Sequence, residues 1–295
     1  MSTRLRQLWL RALAGAGVRN FVAKSGLGHR FVCHLGDLAG ENPFYNREAF
    51  RAELELCASW LREESGPRVF DVGANVGFWS THLAQMLHGN RAEIFSFEPV
   101  PQTLIKLQFA IDRLGLSEQV HVVPVAVRSR SGPVRLSYSA RESLFAQVET
   151  EGLNRRVGDR IEYAASLTLD EFSSFIGVIP SLIKIDVEGS EVDVLKGAKQ
   201  LLLRTDRPAL MFEYNPQTLS EVGADKAAFA ELLSGYSLHY ADDFSGQRRP
   251  VGDSVQSIDE IDWVCNLFAV PNEEVALGRW LRILTGAKRR LCTEL

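Results

Sequence analysis

The stretch VFDVGANVGFWSTHL, residues 69–83, decides the fold of this chain. An apolar strand ends at an acid, a glycine-containing turn follows, and a helical pattern begins. Gly73 and Gly77 leave little side-chain bulk where a backbone passes close to a ligand, and Asn75 between them tolerates a left-handed conformation. Turns of this kind hold the nucleotide part of a cofactor at the end of a parallel strand.

Short apolar runs alternate with longer helical patterns from Val69 onward, which is typical of a parallel sheet with crossover helices. The predicted strands are 68–72, 93–98, 120–126, 181–186, 208–213, 236–240 and 263–269. A polar loop without a strong helix separates the last two, so we expect the last strand to run antiparallel. The predicted fold class is α/β, a Rossmann-like sheet of seven mostly parallel strands with flanking helices.

Local signals predict where individual helices begin and end. Pro101 stands where a first-turn proline belongs, and Gly115 supplies a left-handed stop after the same helix. Ser190 with Asp193 resembles a capping box at the start of a later helix.

Four regions are expected along the chain. Residues 1–50 look mostly helical and predict an extension or lid, whereas residues 51–272 form the main domain. Residues 273–295 predict a basic amphipathic helix. Within the main domain, residues 133–165 interrupt the alternation of strands and helices, and an insertion there lies over the sheet edge where open α/β folds bind ligands. We therefore expect this insertion to cover the substrate.

The bulk composition excludes several classes of protein. A formal net charge of -4 over 295 residues gives no global positive field, so nucleic acid is not an expected partner. The four cysteines are scattered, which fits reduced thiols. No apolar run reaches the length of about 18 residues that a membrane span needs. The apolar start of the chain is interrupted by Arg11 and is too short for a signal peptide, so we expect a cytoplasmic protein.

Both ends of the chain are basic. Residues 1–36 carry six arginines and lysines and no acid, and residues 277–291 read LGRWLRILTGAKRRL. Basic amphipathic termini can contact anionic membranes, which leaves a peripheral position at the inner membrane face as one hypothesis. The simpler interpretation, which we favour, is that both ends are helices packed on the core with solvated charges.

The acid at the mouth of the glycine turn narrows the choice of cofactor. A dinucleotide fingerprint starting at Gly73 needs glycines where the chain has Asn75 and Phe78. A pyrophosphate at a helix N-terminus needs amide donors, and Asp71 would repel it. S-adenosylmethionine has no phosphate and carries an ammonium group, so Asp71 favours that cofactor.

A second acid supports a nucleoside cofactor. Glu98 ends the next predicted strand, where a carboxylate can accept both hydroxyls of a ribose. NAD sites use the same device, so Glu98 alone does not discriminate between the two cofactors. The alternative for the glycine turn is a tight connection that binds no ligand.

Several motifs together resemble the FkbM-type methyltransferases, which are class I S-adenosylmethionine-dependent enzymes that usually methylate a hydroxyl oxygen. The resemblance covers roughly residues 65–272. Its motifs are FDVGANVGFWS, FSFEPVPQTLIKLQ, VPVAVRSRSG, LTLDEF, LIKIDVEGSEVDVLKGA and ALMFEYNP. KIDVEGSEVDVLKGA is the most specific of them, and Gln108 departs from the family, which often has Asn there.

The resemblance implies a set of cofactor-binding residues. The methionine-binding turn would be formed by Asp71, Gly73, Ala74, Asn75 and Gly77. The ribose strand would be marked by Glu98 and Pro99, and the adenine would lie near Val125 and Ala126.

Three carboxylates are the candidate catalytic groups, because a hydroxyl must lose its proton during methyl transfer. Asp186 and Glu188 follow a predicted central strand, and Glu213 ends the next one. Each also has a structural interpretation: Asp186 as a water-mediated cofactor contact, Glu188 as a helix cap, Glu213 as a partner of Lys184. Lys184 interrupts a run that should be buried, so we expect it to form an ion pair with Asp186 on the same side of the strand.

A metal ion is not required by this pattern. Asp186, Glu213 and Asn215 offer oxygen ligands suited to Mg²⁺, but nothing in their spacing demands an ion. The histidines show no zinc-binding grouping. We therefore assign no metal ligand.

The leading hypothesis is an S-adenosylmethionine-dependent O-methyltransferase acting on a glycan, a lipid-linked sugar or a secondary metabolite. One alternative is an NAD-type oxidoreductase with a degenerate dinucleotide loop. Another is a cofactor-binding domain without transfer activity. The identity of the acceptor and the oligomeric state stay open, including a homo-oligomer.

Overall fold

The computed structural model describes residues 3–139, 142–148, 160–221, 223, 226–243 and 249–293. The strands are β1 (Asn20–Lys24), β2 (Arg30–His34), β3 (Arg68–Val72), β4 (Glu93–Phe97), β5 (Val120–Val123), β6 (Ala126–Val127), β7 (Gly132–Ser139), β8 (Glu142–Val148), β9 (Arg160–Leu167), β10 (Leu182–Ile185), β11 (Ala209–Tyr214), β12 (Tyr236–Asp243) and β13 (Cys265–Pro271). The helices are α1 (Thr3–Gly15), α2 (Leu38–Tyr45), α3 (Arg51–Leu61), α4 (Phe78–Met86), α5 (Pro101–Leu114), α6 (Leu169–Ile176), α7 (Glu191–Lys196), α8 (Lys199–Leu202), α9 (Pro216–Glu221), α10 (Lys226–Leu232) and α11 (Glu274–Thr293).

A seven-stranded sheet in the order β12-β13-β11-β10-β3-β4-β5 forms the centre of the molecule. Five neighbouring strands run parallel to one another, namely β11, β10, β3, β4 and β5. Strand β13 is antiparallel to its two neighbours, β11 and β12. All four residues of β10 are buried, as expected for a central strand covered on both faces. The predicted fold class and the antiparallel last strand are confirmed.

The helix ends test the local signals. Pro101 lies in the first turn of α5, and Gly115 caps the same helix with φ of 73°, so both predictions are confirmed. The capping box at Ser190 is wrong, because that side chain makes no capping hydrogen bond. The chain has such a box at the start of α6, where Thr168 and Glu171 exchange hydrogen bonds with each other's backbone.

The N-terminal region contains strands as well as helices. Between α1 and α2, β1 and β2 pair as an antiparallel hairpin. The expectation that residues 1–50 are mostly helical is therefore wrong for residues 20–34, where a valine in each strand and buried Phe31 favour a sheet that packs on the core. The division of the chain at residues 50 and 272 stays a prediction.

The predicted insertion builds a second sheet. β6, β9, β7 and β8 lie side by side in that order, and β8 lies against α2. Residues 140–141 and 149–159 of this region lie outside the described residues. That the insertion covers the substrate stays a prediction.

The C-terminal helix α11 packs on α3 and β13. Trp280 is buried, Arg279 contacts Trp60 and Glu64, and Arg282 pairs with Glu63. The interpretation of a helix packed on the core is therefore confirmed for the described side chains of α11. Among the described residues, no helix combines the length and the apolar character that crossing a membrane requires.

Candidate active site

A cavity of about 1050 Å³, including its open mouth, lies at the carboxyl ends of β3, β4 and β10. Of the nine predicted cofactor-binding residues, all of them described, those that line the cavity are Gly73, Ala74, Asn75, Glu98, Pro99, Val125 and Ala126. Asp71 and Gly77 do not line it. The glycine turn therefore reaches the cavity mainly through its middle residues.

The glycine turn depends on left-handed backbone. Gly73 has φ of 81°, and a Cβ atom there would lie 1.9 Å from the carbonyl oxygen of Asp186. Asn75 has φ of 50°, which confirms that asparagine occupies the left-handed position. Gly77 has φ of 82° and caps the start of α4. The turn is thus packed against the segment that follows β10, and Gly73 has no room for a side chain.

Glu98 supports the glycine turn and also lines the cavity. Its Oε2 accepts the Asn75 N–H at 3.0 Å and its Oε1 accepts the Val100 N–H at 2.9 Å. Burial raises the pKa of Glu98 to about 7, although the two N–H groups oppose that shift. Because each carboxylate oxygen has a second lone pair, Glu98 can still accept hydrogen bonds from a ligand.

Asp71 is fully buried and faces a cation of the protein itself. The Lys184 Nζ lies 3.2 Å from Oδ1 of Asp71 and 3.3 Å from Oδ2 of Asp186. Ser80 donates a hydrogen bond to the other oxygen of Asp71. From the sequence we expected Asp71 to face a cationic group of the ligand. In the structure it faces the ammonium of Lys184 instead. Direct contact between Asp71 and a cofactor therefore loses its main support.

Lys184 joins the two segments that surround the cavity. The predicted pair with Asp186 is confirmed, and the pair with Asp71 was missed. Burial opposes the charge of Lys184, but Asp186 and Asp71 outweigh it and raise the pKa of the ammonium above its ordinary value. Lys184 and Asp71 are register partners on neighbouring strands. The sequence signal that could have revealed this pair is a charged residue in each of two strands that are otherwise apolar.

The segment after β10 forms a second tight turn, DVEGSE, residues 186–191. Glu188 has φ of 53° and Gly189 has φ of 96°. The carboxylate of Glu191 accepts the N–H groups of Val187 at 3.3 Å and Gly189 at 3.1 Å. A left-handed residue other than glycine costs about 1 kcal/mol, so Glu191 stabilises a conformation that Glu188 would otherwise avoid. The role of Glu191 was missed because Ser190 and Asp193 suggested a different cap.

The turn after β10 brings Asp186 and Glu188 to the cavity, whereas Glu213 does not line it. Burial raises the pKa of Glu188 to about 8, and the charges of Asp186 and Glu213 add to the shift. Burial likewise raises the pKa of Glu213 to about 7, with Asp186 as the second cause. Glu213 thus does not line the cavity, but its charge reaches Asp186 and Glu188, which do.

A further buried carboxylate lies near this group. Glu53 on α3 accepts a hydrogen bond from Asn266 Nδ2 at 2.5 Å, and Asn266 is the register partner of Glu213. Burial raises the pKa of Glu53 to about 8, and Asp186 contributes further. The sequence gave no signal for this contact because it joins residues more than 200 positions apart.

Other parts of the N-terminal half complete the cavity wall. Ala39 and Asn42 of α2 line it, together with Phe50, which has φ of 58° at the start of α3. Within the described ranges, no three His, Cys, Asp or Glu side chains are grouped closely enough to hold a metal ion.

Comparison with known sequences identifies the family. The sequence profile of the Methyltransferase FkbM domain matches residues 71–242, which is more than half of the chain. The chain belongs to the FkbM methyltransferase family. The predicted resemblance is therefore confirmed.

Individual relatives are distant. The 2-O-methyltransferase NoeI of Sinorhizobium fredii is 26% identical over 190 residues, which cover 60% of this chain and 75% of that protein. The hexuronic acid methyltransferase AglP of Haloferax volcanii is 28% identical over 213 residues, which cover 68% of this chain and 76% of that protein. The crystal structure of a methyltransferase FkbM from Methylobacillus flagellatus has a TM-score of 0.44 and 16% identity, with 70% of this chain and 44% of that chain covered.

S-adenosylmethionine is the methyl donor of this family, and the cavity fits it. Gly73 has no side chain, so its backbone lines the cavity directly. Glu98 presents carboxylate oxygens that ribose hydroxyls can reach. Phe97, Val125 and Val127 add an apolar wall suited to an adenine ring. The predicted cofactor is confirmed, and family membership speaks against the NAD-type oxidoreductase.

Proposed function

We propose that the protein transfers a methyl group from S-adenosylmethionine to a hydroxyl oxygen of a sugar. The observation that carries the proposal is the presence of Asp186 and Glu188 in the same cavity as the glycine turn and Glu98. Two relatives support this acceptor, because a 2-O-methyltransferase methylates an oxygen and a hexuronic acid methyltransferase acts on a sugar acid.

The acceptor oxygen becomes a good nucleophile only when its proton is removed. When bound, S-adenosylmethionine supplies a methyl carbon activated by its sulfonium, so the remaining work of the protein is to align the acceptor and to take its proton. Asp186 and Glu188 line the cavity from the turn after β10, whereas Glu98, which also lines it, accepts backbone N–H groups. We assign proton acceptance to this pair, with Glu213 acting on it electrostatically from the neighbouring strand.

Lys184 and Glu191 are positioning residues in this scheme. The ammonium of Lys184 holds Asp186 on one side and Asp71 on the other. Glu191 holds the backbone of the turn that carries Glu188. Both carboxylates are therefore oriented before an acceptor arrives, which lowers the reorganisation that the transfer requires.

Apolar side chains protect the reaction from water. Phe50, Phe78 and Trp79 line the cavity beside the glycine turn. Phe50 and Phe78 are in ring contact with centroids 5.6 Å apart. A wall of this kind excludes water from the methyl group and strengthens electrostatic interactions inside the cavity.

The experiment measures formation of S-adenosylhomocysteine with a panel of methyl glycosides, for the native protein and for Asp186→Asn. We expect transfer to at least one glycoside and a fall of about 100-fold in Asp186→Asn, in the range typical for loss of a general base. Asp206→Asn is the matched control, because Asp206 pairs with Arg204 on the surface. Undiminished transfer by Asp186→Asn contradicts the assignment of this carboxylate.

The same experiment separates the remaining alternative. A non-catalytic cofactor-binding domain binds S-adenosylhomocysteine but transfers no methyl group to any glycoside.

A cytoplasmic location also stays a prediction, which fractionation of cells that express the protein tests directly.

A further inference from the structure

The first helix of the chain exposes two leucine side chains. Leu5 and Leu8 of α1 are three residues apart, so they share one face. Leu5 is 55% exposed and Leu8 is 56% exposed, while Leu10 on the opposite side is buried. Leucines exposed to this degree on one helix face are a feature of helices that bind at an apolar boundary.

One edge of α1 is fixed to the rest of the molecule. The guanidinium of Arg6 donates to the carbonyl oxygens of Phe44 at 3.0 Å and Tyr45 at 3.3 Å. Trp9 stacks on Phe44 with ring centroids 5.5 Å apart. The helix is therefore attached to α2, and the face with Leu5 and Leu8 points away from the protein.

The N-terminal segment that contains α1 is basic although the whole chain is negative. Residues 1–36 contain six arginines and lysines and no acid, against a formal net charge of -4 for the chain. Arg11, one turn from Leu8, is exposed. At the other end of the chain, Arg279 and Arg282 are neutralised by Glu64 and Glu63. The N-terminal segment is therefore a better match for an anionic surface than the described part of the C-terminal helix α11.

We propose that α1 binds the surface of an anionic lipid bilayer. Leu5 and Leu8 insert at the boundary between headgroups and acyl chains, and the exposed Arg11 faces lipid phosphates. A second copy of this chain would instead meet the same positive charge, which opposes association through this face.

Docking of α1 has a consequence for the active site. α2, to which α1 is attached, contributes Ala39 and Asn42 to the cavity wall. A bilayer bound to α1 therefore lies near the rim of the cavity, where a lipid-linked sugar would be presented. This last step rests on the proposed function, whereas lipid binding itself does not.

The test is flotation of the full chain with vesicles of phosphatidylglycerol and phosphatidylcholine, and with phosphatidylcholine vesicles alone. We expect binding to the anionic vesicles that is at least about tenfold stronger and that weakens as salt is added, because exposed charges are screened. Leu5→Glu/Leu8→Glu should weaken that binding about 100-fold, since it removes two inserting side chains. Val275→Glu/Leu281→Glu on α11, also at exposed positions, should leave it unchanged.

Three outcomes overturn the proposal. The intact protein fails to float with anionic vesicles, or both double variants lose binding equally, or Leu5→Glu/Leu8→Glu converts a native dimer to a monomer in light scattering. The last outcome assigns the face to a second copy of the chain. Retained binding of S-adenosylhomocysteine by Leu5→Glu/Leu8→Glu shows that the variant is folded, and the methyl-transfer assay on soluble glycosides tests the proposed function separately.

Discussion

The glycine turn after β3 and the acidic turn after β10 are built alike but present different groups to the cavity. Each follows a central parallel strand and contains a non-glycine residue with positive φ, Asn75 at 50° and Glu188 at 53°. In each, a glutamate accepts backbone N–H groups: Glu98 at the first turn and Glu191 at the second. Glu98, which supports the glycine turn, follows the next strand, β4. Glu191, which supports the acidic turn, belongs to that turn itself.

The difference lies in what each turn presents to the cavity. The glycine turn presents backbone and small side chains, which suits a cofactor that must approach closely. The acidic turn presents the carboxylates of Asp186 and Glu188, which suits proton transfer. Under the proposed function, one local design holds a ligand in the first turn and performs chemistry in the second, according to which side chains it carries.

The largest effect is expected where the two turns touch. Gly73→Ala places a Cβ atom 1.9 Å from the Asp186 carbonyl oxygen, so the turns must separate. We expect a loss of about 4 kcal/mol or more in the free energy of unfolding, measured by urea denaturation. Gly89→Ala is the control, because Gly89 also has positive φ but open space around it, and should cost about 1 kcal/mol. Equal losses in both variants contradict the close approach.

Lys184→Met tests the link between the turns. It leaves Asp71 buried without its cation, and removing one member of a buried ion pair costs about 3 kcal/mol or more. Thermal or urea unfolding measures the loss. Adding Asp71→Asn should recover part of that stability, because it removes the unpaired charge. A double variant less stable than Lys184→Met contradicts the pairing.

Glu191→Gln tests whether the acidic turn needs its supporting carboxylate. We expect kcat to fall about tenfold and its pH profile to shift, because Glu188 loses its fixed orientation, while affinity for S-adenosylhomocysteine is retained. Glu171→Gln is the matched control, since Glu171 supports the start of α6 in a similar way and does not line the cavity. An unchanged pH profile in Glu191→Gln would show that its role is only structural.

The smallest effect is on stability as a function of pH. Glu53 and Glu188 have pKa values of about 8 in the folded protein, so at neutral pH they hold protons that the unfolded chain has released. The free energy of unfolding should therefore fall as the pH rises toward 8. Below pH 6.5 the buried His34 and His82, with pKa values of about 4, act in the opposite direction.

Glu53→Gln isolates one of these carboxyls. It should raise the free energy of unfolding relative to the native protein by at least about 1 kcal/mol more at pH 8 than at pH 5, because the unfolded Glu53 carboxyl is ionised at pH 8. Urea denaturation at the two pH values measures the difference. Equal effects at both values contradict a shifted pKa at Glu53.

The sequence predicted the central architecture because the decisive signals are local. Strand and helix patterns, Pro101, Gly115 and the left-handed Asn75 each depend on neighbouring residues. The hairpin at residues 20–34 was missed, since its strands are short and their stability comes from packing on the core.

The site was predicted where it follows strand ends and missed where it depends on distant contacts. Asp186, Glu188 and Glu98 were recognised from their places after parallel strands. Asp71 was assigned to a ligand because its ion pair with Lys184 joins neighbouring strands that are more than 100 residues apart in the chain. Only the folded sheet brings those two charges together.

Calorimetric titration of S-adenosylhomocysteine into Glu98→Gln and Glu188→Gln tests the division between the two turns most directly. At pH 8 we expect Glu98→Gln to bind at least about tenfold more weakly than the native protein, because a carboxylate acceptor is lost from the glycine turn and the cavity. Glu188→Gln should bind within about threefold of native, since its carboxyl serves the acceptor. The reverse pattern, or equal losses in both variants, would contradict the assignment of cofactor binding to one turn and proton transfer to the other.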